Sequence, residues 1–189
     1  MLIPVNFETC PDLPLKTMEL PAHLEPDNPL WRFALAFWQQ SLAQETCLVL
    51  QNEGWNITRI LCAGWLALNG RAYTGIEDAT VTEWRDRVTG SVRAIRTSVP
   101  KAQASYNALR KNLANVELES ECIELALAWH TLEAPNPESN NMQAHERDKL
   151  IEHNLAAAAP MSGMTVNTRQ HVSSLSDILA AFQQEDAPP

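Results

Sequence analysis

The chain has 189 residues, of which 45% are hydrophobic and 20% charged, and its formal charge is −9. That length holds one domain with a real core plus tails, and the balance is that of a soluble globular protein. Six glycines are few for a turn-rich all-β chain, and the negative charge argues against bulk attraction to nucleic acid or to an anionic membrane.

The N-terminus lacks a basic region followed by an apolar one, so it does not read as a signal peptide. The longest apolar run, Ile60 to Leu68, is far too short to span a bilayer. The expectation is a cytoplasmic protein with no membrane partner. Four cysteines, Cys10, Cys47, Cys62 and Cys122, form no Cys-x-x-Cys pair. The last three sit among apolar helical neighbours and read as reduced thiols that pack as small hydrophobes.

In chain order, residues 1–27 form an acidic arm in which Pro4, Pro11, Pro14, Pro21 and Pro26 interrupt any helix. Helix one begins at Pro29 with Asn28 as its N-cap. Leu30, Phe33, Phe37 and Trp38 lie on its apolar face, widened by Trp31 and Leu35. A second segment runs from Leu42 to Asn52 and stops at Gly54. Ser41 is a weak breaker, so the sequence allows one continuous helix or two. Helix three runs from Ile57 to Leu68, capped by Asn56 and ended by Asn69 and Gly70. Apolar residues surround most of it, which places it at the centre of a bundle.

Thr80-Val-Thr-Glu83 has the spacing of a capping box and predicts helix four, running to Val99. Trp84, Val88, Val92, Ile95 and Val99 form its buried stripe. Helix five starts near Lys101 and reaches Leu132 in two registers: Tyr106, Leu109, Leu113 and Val116, then Leu118, Cys122, Leu125 and Trp129. Either one long helix meets different neighbours at its two ends, or it breaks near Asn115. Pro135, Pro137 and the Ser-Asn-Asn after them mark a boundary. Residues 142–159 carry a thin stripe of Leu150, Ile151 and Leu155. Ser174-Leu-Ser-Asp177 caps a last short helix with Leu175, Ile178, Leu179 and Phe182.

Catalytic and metal signatures fail on inspection. His145-Glu146 opens like a zinc-protease helix, but the position four after His145 is Lys149. Neither a Gly-x-Ser-x-Gly elbow nor a Gly-rich phosphate loop is present. Glu117, Glu121 and Glu124 line up on one helix edge and read as a solvated face, with a di-metal or acid–base cluster as the sharper alternative. No metal ligand, cofactor or catalytic residue is nominated.

Charge is polarised along the chain. Between Arg59 and Lys111 nine basic residues face four acidic ones, and the rest is strongly acidic. The plain reading is intramolecular neutralisation. The functional reading is a basic face built from Arg85, Arg93, Arg96 and Lys101 that meets an acidic protein or RNA phosphates. The six tryptophans read as core. Alternatively, Trp31, Trp38 and Trp55, with Gln51, Asn56 and Arg59, line a pocket between helices one and three. The last amphipathic helix is a natural occupant of such a groove, in its own chain or in another copy.

Leu30-Trp31-Arg32-Phe33-Ala34-Leu35, Cys47-Leu48-Val49-Leu50-Gln51, Trp65-Leu66-Ala67 with Gly70, and Trp84-Arg85 followed by Arg93 and Arg96 stand in a distinctive order. With Tyr106 and Leu109, this pattern resembles a family of uncharacterised proteobacterial proteins, a domain of unknown function, over about residues 30–133. Departures occur at Ser41 and Leu42, where the family has a Pro-Gly turn, at Asn56-Ile57-Thr58, and at Ser91. The resemblance implies an all-helical bacterial cytoplasmic protein and brings no activity.

These readings converge on an all-α bundle of four to six helices over residues 28–133. Residues 134–189 form a linker and tail, and both extensions are flexible. The expected function is a non-enzymatic interaction or adaptor protein that binds a protein partner or itself through the basic face. A small-molecule binder or enzyme with the tryptophan pocket, and an RNA- or ribosome-associated factor, are the alternatives.

Overall fold

A computed structural model describes residues 17–132 and 144–182. Most of the proline arm, the 133–143 boundary, Cys10 and the last seven residues lie outside the described residues. Among the described residues all regular structure is helical. α1 (Pro29–Trp38), α2 (Ser41–Asn52) and α3 (Ile57–Leu68) come first. α4 (Ala79–Trp84) passes through a π-helical turn (Arg85–Thr89) into α5 (Gly90–Ser98), and a 3₁₀ turn (Ala104–Tyr106) leads into α6 (Asn107–Thr131). α7 (Ala144–Ala157) and α8 (Val166–Ala181) complete the chain.

The first three helices start and stop where their caps dictate. Asn28 Oδ1 accepts from the Trp31 N–H at 2.9 Å, and Asn56 Oδ1 accepts from the Arg59 N–H at 3.0 Å. Gly54 and Gly70 follow α2 and α3 with φ of 87° and 68°, where a side chain would be strained. Gln40 is extended, so α1 and α2 are separate helices. α4 is capped by Asp78, whose carboxylate accepts from the Thr80 N–H, in place of the predicted Thr80–Glu83 box. α8 starts at Val166, with Thr165 as its N-cap in place of Ser174. The Thr165 hydroxyl accepts from the Thr168 N–H, and that cap carries the helix through a polar first half.

α3 lies at the centre, with nine of its twelve residues buried. α7 packs along it with Ile151 and Leu155, both fully buried. Between them sits Asn154, also fully buried and fully bonded. Its amide donates to the carbonyls of Ala63 (3.1 Å) and Arg71 (2.8 Å), and its oxygen accepts from the Tyr73 N–H (2.8 Å). An unbonded amide there would cost a few kcal/mol, so this network holds α7 in one register. α8 adds Leu175, Leu179 and Phe182 to the core. Phe182 meets Phe33 and Phe37 edge-on at 5.5 and 5.7 Å, and Leu179 lies where Gly64 leaves room for it.

The bundle therefore extends past residue 133. α7 and α8, read as a tail, cover a central helix that α1, α2 and α6 leave partly bare. α6 is one unbroken helix of 25 residues. Its second half is covered on several sides, and Trp65 meets Trp129 edge-on at 5.2 Å. Its first half is covered mainly by α5. Tyr106, Leu109 and Val116, an apolar register in the sequence, stay 39–50% exposed because a two-helix arm can hide only one face.

Candidate functional site

The charged residues of α3 to α6 form a ladder. Arg59 and Arg85 share Glu77, with Arg59 Nη1 at 2.7 Å and the two Arg85 nitrogens at 2.9 and 2.5 Å. Arg85 Nε also donates to Glu124 at 2.7 Å. Further along, Arg93 donates to Glu117 (2.8 Å) and Glu121 (2.6 Å), and Arg96 donates to Glu117. On an uninterrupted α-helix, residues eight apart such as Arg85 and Arg93 stand about 80° apart. The wider π turn between them removes part of that offset, and both face α6.

This arrangement corrects two expectations. Glu117, Glu121 and Glu124 are not a solvated edge, because Glu117 and Glu124 are buried. Arg85, Arg93 and Arg96 do not point outward as a basic patch. Their guanidinium groups turn in to meet those carboxylates, while Lys101 is exposed on the connection beyond α5. The clue was present in the sequence: a basic stripe on one helix and an acidic stripe on the next, antiparallel one. Helical spacing alone does not say whether such stripes face water or each other. Glu77, which the sequence marked only as an opposing charge, is the residue that joins the α3 and α4 ends of the ladder.

Burial works against the charge on Glu77, but the hydrogen bonds and charges of Arg85 and Arg59 outweigh it and hold the carboxyl below its ordinary value. Glu117 is lowered in the same way, with Arg96 and Arg93 overcoming burial. Glu121 goes up, because burial and the neighbouring carboxylates exceed what Arg93 returns. Burial pushes the Cys47 and Cys62 thiols up to about 12, so neither is a thiolate nucleophile at neutral pH.

Beside the ladder lies a half-open groove of about 240 Å³ between α1, α2, α3 and α6. Trp31, Leu35 and Trp38 form one wall, one helical face of α1 at spacings of four and three. Leu48 and Gln51 of α2, Leu118 of α6, and Arg96, Glu117 and Glu121 also line it. Leu35, Leu48 and Leu118 are 45%, 43% and 51% exposed.

Of the six residues assigned to a tryptophan pocket, Trp31, Trp38 and Gln51 line this groove. Trp55 is buried in the core, and the Asn56 side chain caps α3. Arg59 faces away from it, donating to Glu77 and to the carbonyls of Ala157 and Ala158. α8 does not occupy the groove. It packs on α2 and α7, against the Phe33 and Phe37 face of α1.

A family model described as "Protein of unknown function (DUF2390)" matches residues 29–128. No curated protein and no solved structure matches the chain. The matched span contains both the groove and the ladder, while α7 and α8 lie outside it.

Proposed function

This chain belongs to the DUF2390 family of unknown function, and on that premise we propose that it is a non-enzymatic interaction protein that docks a helical segment of a partner protein in the α1–α2–α6 groove. The observation that carries this reading is the trio of exposed leucines, Leu35, Leu48 and Leu118, around Trp31 and Trp38. An apolar helix face presents side chains at spacings of three and four, which suits an open trough with a large apolar rim. A drug-sized ligand is usually enclosed in about 300 Å³ or more, whereas this groove offers about 240 Å³ and is open on one side. Gln51 in its lining supplies a directional polar contact.

Binding through a basic face or to RNA has less support. Of Arg85, Arg93, Arg96 and Lys101, the cations assigned to that face, the three arginines already hold carboxylates, and Lys101 is exposed beyond α5.

The test is site-specific photo-crosslinking. A photoreactive residue at Leu118 should trap a defined protein in cells, and one at the fully exposed Met161 should not. Leu48→Asp should abolish the adduct while leaving the melting temperature nearly unchanged, since that side chain is half in water already. Identical adducts from both positions, or an adduct that survives Leu48→Asp, would overturn the reading.

A further inference from the structure

Arg93 and Arg96 of α5 hold Glu117 and Glu121 of α6, which fixes the line along which these two helices meet. Val92 directly precedes Arg93, and Val116 directly precedes Glu117. On each helix an apolar stripe therefore stands about 100° back from the ion-paired side. The helices run antiparallel, so the same turn on each brings both stripes to one side of the arm. That side carries Val92, Ile95 and Val99 from α5 and its end, and Leu109, Leu113 and Val116 from α6. None of the six is buried, and α5 as a whole has no buried residue. Ile95, Leu109 and Val116 are 54%, 50% and 47% exposed. Together the six leave roughly 400 Å² of apolar surface in water, the size of patch that marks an interaction site.

We propose that two copies of the chain dock through this face, arm on arm, about a two-fold axis that lays the tip of each arm over the base of the other. Two antiparallel helices with a shared apolar side are half of a four-helix bundle, and a second hairpin of the same sequence completes it. Across a two-fold axis one patch meets itself. A patch without charge is then self-complementary, even on a chain of net charge −9. Charge sets the direction of the two arms. Lys101, in the connection at the tip, and Glu119, at the outer edge of the face where the arm joins the bundle, are both exposed. Neither holds an ion pair among the described residues. Tip over base brings each Lys101 towards Glu119 of the second copy, whereas tip on tip would set Lys101 against Lys101. The two apolar patches with their polar flanks bury a total above about 1,000 Å², where specific interfaces begin. Leu118 of the partner groove stands about 180° round α6 from Leu109, so this face is separate from the groove and stands or falls without it.

Sedimentation equilibrium of the full-length protein tests this. At about 100 µM, above the micromolar Kd that such an area supports, the wild type should sediment at twice the 21.1 kDa chain mass. Its melting temperature should rise with protein concentration. Ile95→Asp and Leu109→Asp should each weaken the dimer about a hundredfold, because each buries an unpaired charge at the contact. Both should keep the far-UV circular dichroism of the wild type, since these side chains are half in water in the single chain. Lys101→Glu and Glu119→Lys should each weaken the dimer about tenfold, as two pairs turn from attraction to repulsion, and the double reversal should restore it. Leu48→Asp, in the groove, should leave the dimer intact. A wild type that stays monomeric at this concentration overturns the proposal, even if the arm then captures a different protein. So does a dimer that survives Ile95→Asp with Leu109→Asp, a dimer that Leu48→Asp dissolves, or a double charge reversal that restores nothing.

Discussion

Glu77→Gln isolates the centre of the ladder. The amide keeps the shape of the side chain and removes the one charge that Arg59 and Arg85 share. The Glu77 side chain is 7% exposed, and those of Arg59 and Arg85 are 22% and 15% exposed, so water cannot replace what is lost. Breaking a buried pair costs about 3–5 kcal/mol. Here Arg85 keeps Glu124, Arg59 keeps the Ala157 and Ala158 carbonyls, and the amide oxygen still accepts one bond. The expected loss is therefore about 2–3 kcal/mol at neutral pH, or about 4–12 °C in Tm for a chain of this size. Glu83→Gln is the internal control. It breaks the exposed Glu83–Arg87 pair, where the side chains are 48% and 34% exposed, and should cost about 0.5 kcal/mol or less. Urea unfolding followed by far-UV circular dichroism and tryptophan fluorescence measures both. A double-mutant cycle of Glu77→Gln with Arg59→Gln should show a coupling of about 1 kcal/mol or more. If Glu77→Gln costs no more than Glu83→Gln, the ladder is not a structural element.

The same carboxylates set the acid limb of stability. Glu77 and Glu117 titrate below the ordinary value of 4.5 in the folded protein, so their contribution is present above that value and is lost as pH falls through their folded values. Glu121 titrates above 4.5, so its contribution is present below 4.5 and is lost as pH rises through its folded value. Unfolding free energy against pH should therefore rise slightly on going down towards 4.5 and then fall steeply. Glu121→Gln should remove the rise, and Glu117→Gln should reduce the fall; a flat acid limb in the wild type would contradict both assignments. Truncation after Leu132 removes Ile151, Leu155, Leu175, Leu179 and Phe182 from the core. At about 1.5–3 kcal/mol each, that is about 10 kcal/mol, comparable to the whole stability of a domain. The truncated chain should lose its cooperative thermal transition, and a sharp native-like melt would refute the placement of α7 and α8.

Local chemistry was enough for much of the architecture. Asn28 and Asn56 cap the helices that their side chains nominated, because a cap is a contact across three residues. α3 could be placed at the centre from composition alone, since a helix apolar on nearly every face has no side to give to water. The all-helical class followed from the 3.6-residue periods and the scarcity of glycine.

Which surface covers which was decided only by the tertiary structure. A stripe such as Leu175, Leu179 and Phe182 reads the same on a loose tail and on a helix that closes a core. Arg85, Arg93 and Arg96 have the same spacing whether they face solvent or the carboxylates of α6, and the π turn that aims them has no signature in composition. Trp31 and Trp38 line the groove while Trp55 is buried, although all three stand among similar neighbours. Periodicity records that a helix has a face. What that face meets depends on long-range packing, and there the burial of charge and of apolar surface is settled together.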